Sequence, residues 1–333
     1  MNTKTFIEDF KANQRIEEIL FLAEFSLKTT QKGKEYLDLV LSDRTGKIPG
    51  KIWDKLDRVS EGIKKGDFVR VAGVVQEYRE NLQIKVDSMT GIPRDQLKME
   101  DFIESLEQEK IETYLKKFKV YIDEISDPYL KALLDSFFQD IQFQTSFIQH
   151  PAAQSIHHEY LGGLLEHTLT MLAIGRYLAK IYKDIDNDLL AAGIILHDIG
   201  KMRELEADVT VEYTHQGRLL GHSIIGLEMI REKTRQIPGF PAQLVQLLEH
   251  ILISHHGTAE FGATKPPLFR EAMLVHLIDT IDARMKIMEK YLRKVPADEM
   301  WSEKCWPVEN QKLLRIDRYL EDSGKNRDST QPE

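Results

Sequence analysis

The sequence predicts a multidomain α+β protein in which a small β-barrel is followed by an all-α domain. Three observations carry that reading. Residues 15–90 alternate apolar and polar positions between tight turns, the period of strands. From Met99 the apolar residues recur every three or four positions, the period of helices. All 11 histidines fall at or after His150, inside the helical part, which points to one site rather than scattered surface use. A length of 333 residues suits two ordinary domains.

In the first part, Glu35 to Leu41 places Leu37, Leu39 and Leu41 on one face. Asp43-Arg44-Thr45-Gly46 reads as a turn with Gly46 at a position of positive φ. Lys47 to Trp53 sets Ile48, Gly50 and Ile52 against Lys51 and Trp53. Lys65-Gly66-Asp67 is a turn, Phe68 to Val75 a β-branched strand, and Glu80-Asn81 a hairpin into Leu82, Ile84 and Val86, with Gln83 and Lys85 outward. Five short strands with such turns suit a Greek-key barrel of the OB type. OB barrels bind single strands with aromatic platforms and scattered cations. Tyr36, Lys51, Trp53, Tyr78, Arg79 and Lys85 are the candidates, with Lys34 beside them. Tyr36, Trp53 and Lys85 lie opposite the aliphatic face; the competing role for the two aromatics is packing on the helical segment that follows.

Pro93 ends the strand pattern. Phe102, Ile103, Leu106 and Ile111, then Leu130, Leu133, Leu134, Phe137 and Phe138, carry the helical period, and Asp127-Pro128 is a helix start. Helices are expected over 160–182, 187–199, 221–236, 241–256 and 269–293, with a loop or short hairpin at 203–216 and a polar, disordered tail over 322–333. The net charge of −9 excludes a basic nucleic-acid coat but leaves room for a local basic groove. One cysteine, Cys305, excludes an intramolecular disulfide and Cys-rich zinc sites. Without an eighteen-residue apolar run or a signal-type start, the expectation is a soluble cytoplasmic protein with no membrane partner.

The chemistry centres on Ile194-Ile195-Leu196-His197-Asp198-Ile199-Gly200-Lys201. A helix delivers an imidazole and a carboxylate side by side at its end, with Gly200 as the stop. Imidazole suits transition metals, and a carboxylate can bridge two of them. Lys201 is i+3 from Asp198; on the same face its ammonium neutralises a phosphate oxygen or protonates a leaving group, and otherwise it is a solvated surface lysine. His167, His222, His255 and Asp279 each sit on a different predicted helix, as in bundles that build a metal site from facing helices. Alternatives stay open. His256 competes with His255, Asp282 competes with Asp279, His276 reads as core or as a supporting residue, and His250 reads as structural. His157 and His158 suit either the phosphate or an exposed loop, Glu166 suits a salt bridge, and His150 and His215 carry no signal.

The ordered pieces Gly162-Gly163-Leu164-Leu165-Glu166-His167, His197-Asp198-Ile199-Gly200-Lys201, Gly221-His222-Ser223, Ser254-His255-His256-Gly257 and Ile278-Asp279 resemble the HD superfamily of metal-dependent phosphohydrolases. That resemblance implies an HD-type helical domain and a first metal held by His167, His197, Asp198 and Asp279. It also implies a second metal sharing Asp198 and taking His222 and His255; with the spacing of Lys201 read above, Asp198 and Lys201 are the expected catalytic residues. The whole chain is similar to the YhaM-type 3′-to-5′ exoribonucleases of Gram-positive bacteria, through Asp43-Arg-Thr-Gly-Lys-Ile-Pro-Gly-Lys-Ile-Trp53 and Tyr160-Leu-Gly-Gly-Leu-Leu-Glu-His-Thr168. This implies trimming of single-stranded RNA, and of some single-stranded DNA, to nucleoside monophosphates with two divalent ions, manganese being expected. The expected domains are 1–92 (OB fold, nucleic-acid binding), 93–150 (helical linker region) and 151–321 (HD domain). A homo-oligomer is left open, with the long helix near Arg270 and with Trp301 and Trp306 as interface candidates. Rival readings are a small-nucleotide phosphohydrolase and a non-catalytic RNA-binding adaptor.

Overall fold

The computed structural model describes residues 4–54, 56, 61–79, 81–154, 160–209 and 211–322. These divide into two compact units, one ending at Ser105 and including a short stretch that begins at Ala207, the other beginning at Leu106.

The first unit is a closed barrel of β1 (Arg15–Thr29), β2 (Glu35–Asp43), β3 (Gly46–Ile52), β4 (Phe68–Tyr78) and β5 (Asn81–Ile92), ordered β1-β2-β3-β5-β4. The first half of β1 pairs with β4 and its second half with β2; a bulge at Leu22/Glu24 bends the strand between its two partners. β3 and β5 close the barrel in parallel, setting Lys51 beside Lys85. The alternation read from the sequence fills the interior with Leu37, Leu39, Leu41, Ile48, Ile52, Ile84 and Val86. The β2–β3 turn corrects one expectation. Gly46 is not among the residues with positive φ; the Asp43 side chain holds the turn instead, accepting from the Thr45 amide at 2.8 Å and the Thr45 hydroxyl at 2.6 Å. Glu80, assigned to the β4–β5 hairpin, lies outside the described residues.

Residues 93–105 differ from the expected linker because Phe102 packs edge-on against Phe68, 4.8 Å away, and so belongs to the barrel unit. The rest of the 93–150 segment forms α1 (Gln108–Asp123), α2 (Pro128–Phe138) and α3 (Ile141–Gln149) within the helical unit. Asp127 and Asp140 cap α2 and α3, each accepting two backbone amides. Phe118, Phe137 and Phe147 carry these helices into the main core.

That core continues through α4 (Gly163–Ile181), α5 (Asn187–Leu196), the short α6 (Lys201–Glu204), α7 (His215–Thr234), α8 (Ala242–Ser254) and α9 (Arg270–Arg293). Between α6 and α7 the chain makes the two-stranded ribbon β6 (Leu205–Ala207) and β7 (Val211–Tyr213). α7 starts six residues before the expected 221, because Thr214 caps it by accepting the Gly217 amide at 2.9 Å. It then kinks at Gly221, φ +72°, where a glycine relieves the left-handed strain. A hairpin of β8 (Trp301–Cys305) and β9 (Gln311–Leu314) and a last helix α10 (Ile316–Asp322) complete the unit; the expected disordered tail beyond Asp322 lies outside the described residues. Among the described residues no helix is long and apolar enough to cross a membrane.

Candidate metal centre

Three helices and the ends of two more bring the predicted residues together. His167 projects from the first turns of α4, His197 and Asp198 follow the end of α5, His222 follows the kink in α7, His255 caps α8, and Asp279 lies mid-way along α9. The donor atoms fall into two sets, His167–His197–Asp279 and His222–His255–His256. In the first, His167 Nε2 lies 3.4 Å from both His197 Nε2 and Asp279 Oδ1. In the second, His222 Nε2 lies 3.4 Å from His255 Nε2 and 3.1 Å from His256 Nε2. Asp198 stands between the sets. Its Oδ2 is 3.3 Å from His197 Nε2 and 3.7 Å from His167 Nε2, while its Oδ1 is 3.5 Å from His222 Nε2 and 3.9 Å from His255 Nε2.

The chemistry of the donors fits a divalent cation. His197 Nδ1 donates to the Ile194 carbonyl at 2.7 Å and His255 Nδ1 to the Leu252 carbonyl at 2.8 Å, each three residues back. A carbonyl only accepts, so Nδ1 carries the proton and Nε2 presents its lone pair. His167 Nδ1 is held the same way by Asp282 Oδ2 at 2.6 Å, and His222 Nδ1 by Glu204 at 3.1 Å. Lone pairs that converge at 3.1–3.4 Å repel each other unless a cation or proton lies between them. Bonds of roughly 2.1 Å to a common ion would put its ligand atoms about 3.0–3.4 Å apart, close to the spacing found.

Electrostatics are tuned around Asp198. Burial pushes its carboxyl up, but the Lys201 ammonium and His197 outweigh burial and hold it well below the usual carboxylate range. Lys201 Nζ meets Asp198 Oδ2 at 2.6 Å. Burial alone would discharge this lysine; Asp198 overrides it and raises the pKa above the usual lysine value. Burial likewise opposes a charge on His167, yet its bonds to Asp279 and Asp282 lift its pKa to about 9. His255 is driven well below its ordinary value by burial and then by His256, and His256 falls to about 4 by burial and His222.

On the barrel, Tyr36 and Trp53 stack at 4.7 Å, with Lys51 Nζ 4.6 Å from the Tyr36 ring centre and Lys34 Nζ 6.0 Å from that of Trp53. Lys51 also pairs with Asp38 at 3.3 Å. Lys85 is exposed beside Lys51 in the β3–β5 register. Tyr78, 55 % exposed, lies near the β4–β5 hairpin with the Arg79 guanidinium 5.3 Å from its ring centre.

Comparison with known proteins decides the family. The model of the HD domain matches residues 164–284, and that of the OB-fold nucleic acid binding domain matches residues 24–92. The 3′-5′ exoribonuclease YhaM of Halalkalibacterium halodurans is 34 % identical over 307 residues, covering 92 % of this chain and 94 % of that protein. The protein of the same name from Oceanobacillus iheyensis is 36 % identical over 303 residues, covering 91 % and 94 %. This chain belongs to the YhaM family. Among solved structures, the second OB-fold domain of replication protein A from Methanococcus maripaludis is 25 % identical, covering 28 % of this chain and 97 % of that one, with a TM-score of 0.23.

Three features of this YhaM-family site depart from what spacing alone suggests. Gly200 does not end a helix through a left-handed turn; its φ is −64°. It is small because a Cβ there would sit 1.9 Å from the His222 carbonyl oxygen, so the glycine lets the chain after Asp198 touch the start of the His222 helix. His255 and His256 both face His222, because α8 has ended at Ser254 and the helical alternation no longer separates neighbours. Asp282, the rival of Asp279, supports His167 from behind while Asp279 faces the donor set.

Sequence reasoning missed Glu204 altogether. It is buried, and besides His222 Nδ1 it accepts the His222 amide at 2.9 Å. Its only sequence signal is a carboxylate among apolar and basic neighbours. Glu166 is a buried ion-pair centre for Lys110 (2.7 Å) and Lys286 (3.5 Å), in keeping with its salt-bridge reading. His276 holds the His255 carbonyl at 2.7 Å, His250 Nε2 accepts the Leu268 amide at 3.0 Å, and His215 is exposed at the start of α7. His157 and His158 lie outside the described residues.

Proposed function

We propose that this chain is a divalent-metal-dependent 3′-to-5′ exoribonuclease that trims single-stranded RNA, and single-stranded DNA less favourably, to nucleoside monophosphates in the cytoplasm. The observation that carries the reading is Asp198, with one oxygen turned toward each of two donor sets, in which His197 and His255 present Nε2 lone pairs. In this reading His167, His197, Asp198 and Asp279 hold one cation; Asp198, His222 and His255, with His256 beside them, hold a second. Manganese is taken as the ion from the resemblance to the YhaM family; the donor sets, imidazole nitrogen and carboxylate oxygen without thiolate, accept it but do not select it over other divalent ions. A pair of such cations supplies an activated water and positive charge against the phosphodiester oxygens.

The chain's own groups do the remaining work. Asp282 and Glu204 fix the tautomers of His167 and His222, so these rings need no rearrangement on binding. Lys201, buried and charged, sits 2.6 Å from Asp198 Oδ2, where its ammonium can donate to a phosphate oxygen or give a proton to the departing ribose oxygen. The Tyr36–Trp53 stack, with Lys51, Lys34 and Lys85, offers a base platform flanked by cations, and Tyr78 with Arg79 adds a hairpin contact.

The test uses single-stranded RNA labelled at its 5′ or its 3′ end, purified protein and manganese, beside Asp198→Ala. A descending ladder from the 5′ label and early mononucleotide from the 3′ label, both absent in the variant, are expected. Internal cuts or an idle protein would overturn the reading, and turnover confined to small nucleotides would favour a phosphohydrolase instead.

A further inference from the structure

Two of the three tryptophans in the chain, Trp301 and Trp306, have no part in the barrel platform or the metal centre. They belong to the hairpin after α9. That hairpin is secured by a small apolar cluster of Ile287, Cys305 and Leu313, and by Ser302, whose hydroxyl accepts the Leu313 amide at 2.8 Å. The cluster closes without the indoles, which stay 48 % and 66 % exposed. Large aromatic surface left in water forgoes its burial energy unless a ligand covers it. Both rings border a cavity of about 450 Å³, together with Tyr291, Lys290 and Lys294 from the end of α9. That volume is in the range of small-ligand sites. The cavity's charged lining is two lysines, Lys290 and Lys294, and two glutamates, Glu299 and Glu303, a balanced set in a chain whose net charge is −9.

We propose that this cavity is a second binding site for single-stranded nucleic acid. An unstacked base lies against Trp301 and Trp306, and Lys290 and Lys294 meet the flanking phosphates. The inference rests on the single-strand substrate read above, and it adds a contact on the helical unit itself. Aromatic stacking takes any base, since each has a π-face, whereas a duplex keeps its bases stacked and out of reach. Glu299 and Glu303 also line the cavity. They oppose a long run of phosphates and can accept from exocyclic amino groups, so the site holds one or two nucleotides and its binding has a shallow salt dependence.

The tryptophan count provides the test. In full-length Trp53→Phe protein all tryptophan emission comes from Trp301 and Trp306. Titration with a 12-nucleotide single-stranded RNA in EDTA, which keeps the strand intact, is expected to quench that emission saturably; a duplex of the same length is not. Adding Trp306→Ala, at an exposed position whose loss leaves the thermal melt unchanged, is expected to weaken the binding seen by the remaining indole roughly 5- to 100-fold. Unchanged emission while strand binding is detected by anisotropy would overturn the proposal. So would equal quenching by duplex, or a spectral shift that follows protein concentration without RNA, the mark of a second copy on this face. If the degradation ladder persists and quenching is absent, only this inference falls; if quenching appears without a ladder, the nuclease reading falls and this site stands.

Discussion

A histidine suits a metal when one ring nitrogen is held by a neighbour and the other turns toward a shared point, and His167, His197, His222 and His255 meet both conditions. His197 and His255 use a carbonyl three residues back, a contact that a helix end supplies locally. His167 and His222 depend on Asp282 and Glu204, which are distant in sequence. Replacing Glu204 by Gln, or Asp282 by Asn, is therefore expected to lower manganese affinity about 10- to 100-fold without unfolding the chain, as read by calorimetric titration. Wild-type affinity in Glu204→Gln would show that His222 needs no such support. His150 allows a pH prediction. Its Nε2 donates to the Lys201 carbonyl at 2.8 Å, and burial drops its pKa to about 4. Below its ordinary pKa of about 6.5 the unfolded chain takes a proton that the folded chain refuses, so stability is lost as pH falls from about 6.5 toward 4. The loss is of the order of 2–3 kcal/mol at the acid end. His150→Gln, which keeps a donor and removes the titration, is expected to flatten that acid limb in denaturant melts.

At the scale of elements, the chain from the end of α5 to the start of α7 works as one unit. His197 caps α5, Asp198 and Gly200 form the turn, and Lys201 opens α6. Glu204 at the end of α6 then reaches His222. Gly200→Ala would push a methyl into the His222 carbonyl. We expect a loss of roughly 1–3 kcal/mol, a melting temperature lower by several degrees, and weaker metal binding as His222 moves away from Asp198. A melt identical to wild type would refute the close-approach role. Strands and most helices were legible because burial imposes period two or 3.6 on the sequence, as in Leu37–Leu41 or Leu130–Phe138. The start of α7 was not, since a threonine cap and a left-handed glycine are local choices that the apolar period does not register. The β2–β3 turn lies where the sequence placed it, but its device differs, the Asp43 side chain doing what a glycine was expected to do.

For the whole molecule, the proposed function divides the work, the OB barrel holding a strand and the HD unit cutting it. Trp53→Ala removes one ring of the stacked pair. It is expected to weaken binding of long single strands about 5- to 100-fold in anisotropy titrations, while turnover of a dinucleotide stays within about two-fold of wild type. Equal losses on both substrates would mean that the ring supports folding rather than strand binding.

By itself the sequence determined the order of the two domains, the faces of their strands and helices, and the set of candidate metal ligands, because periodicity and residue chemistry are written residue by residue. Tertiary structure alone decided which oxygen of Asp198 faces which imidazoles, that His256 joins His255, and that Glu204 and Asp282 stand behind the rings. Those are distances between segments far apart in the chain. They depend on how closely backbones approach, as at Gly200, and no spacing within one segment encodes that.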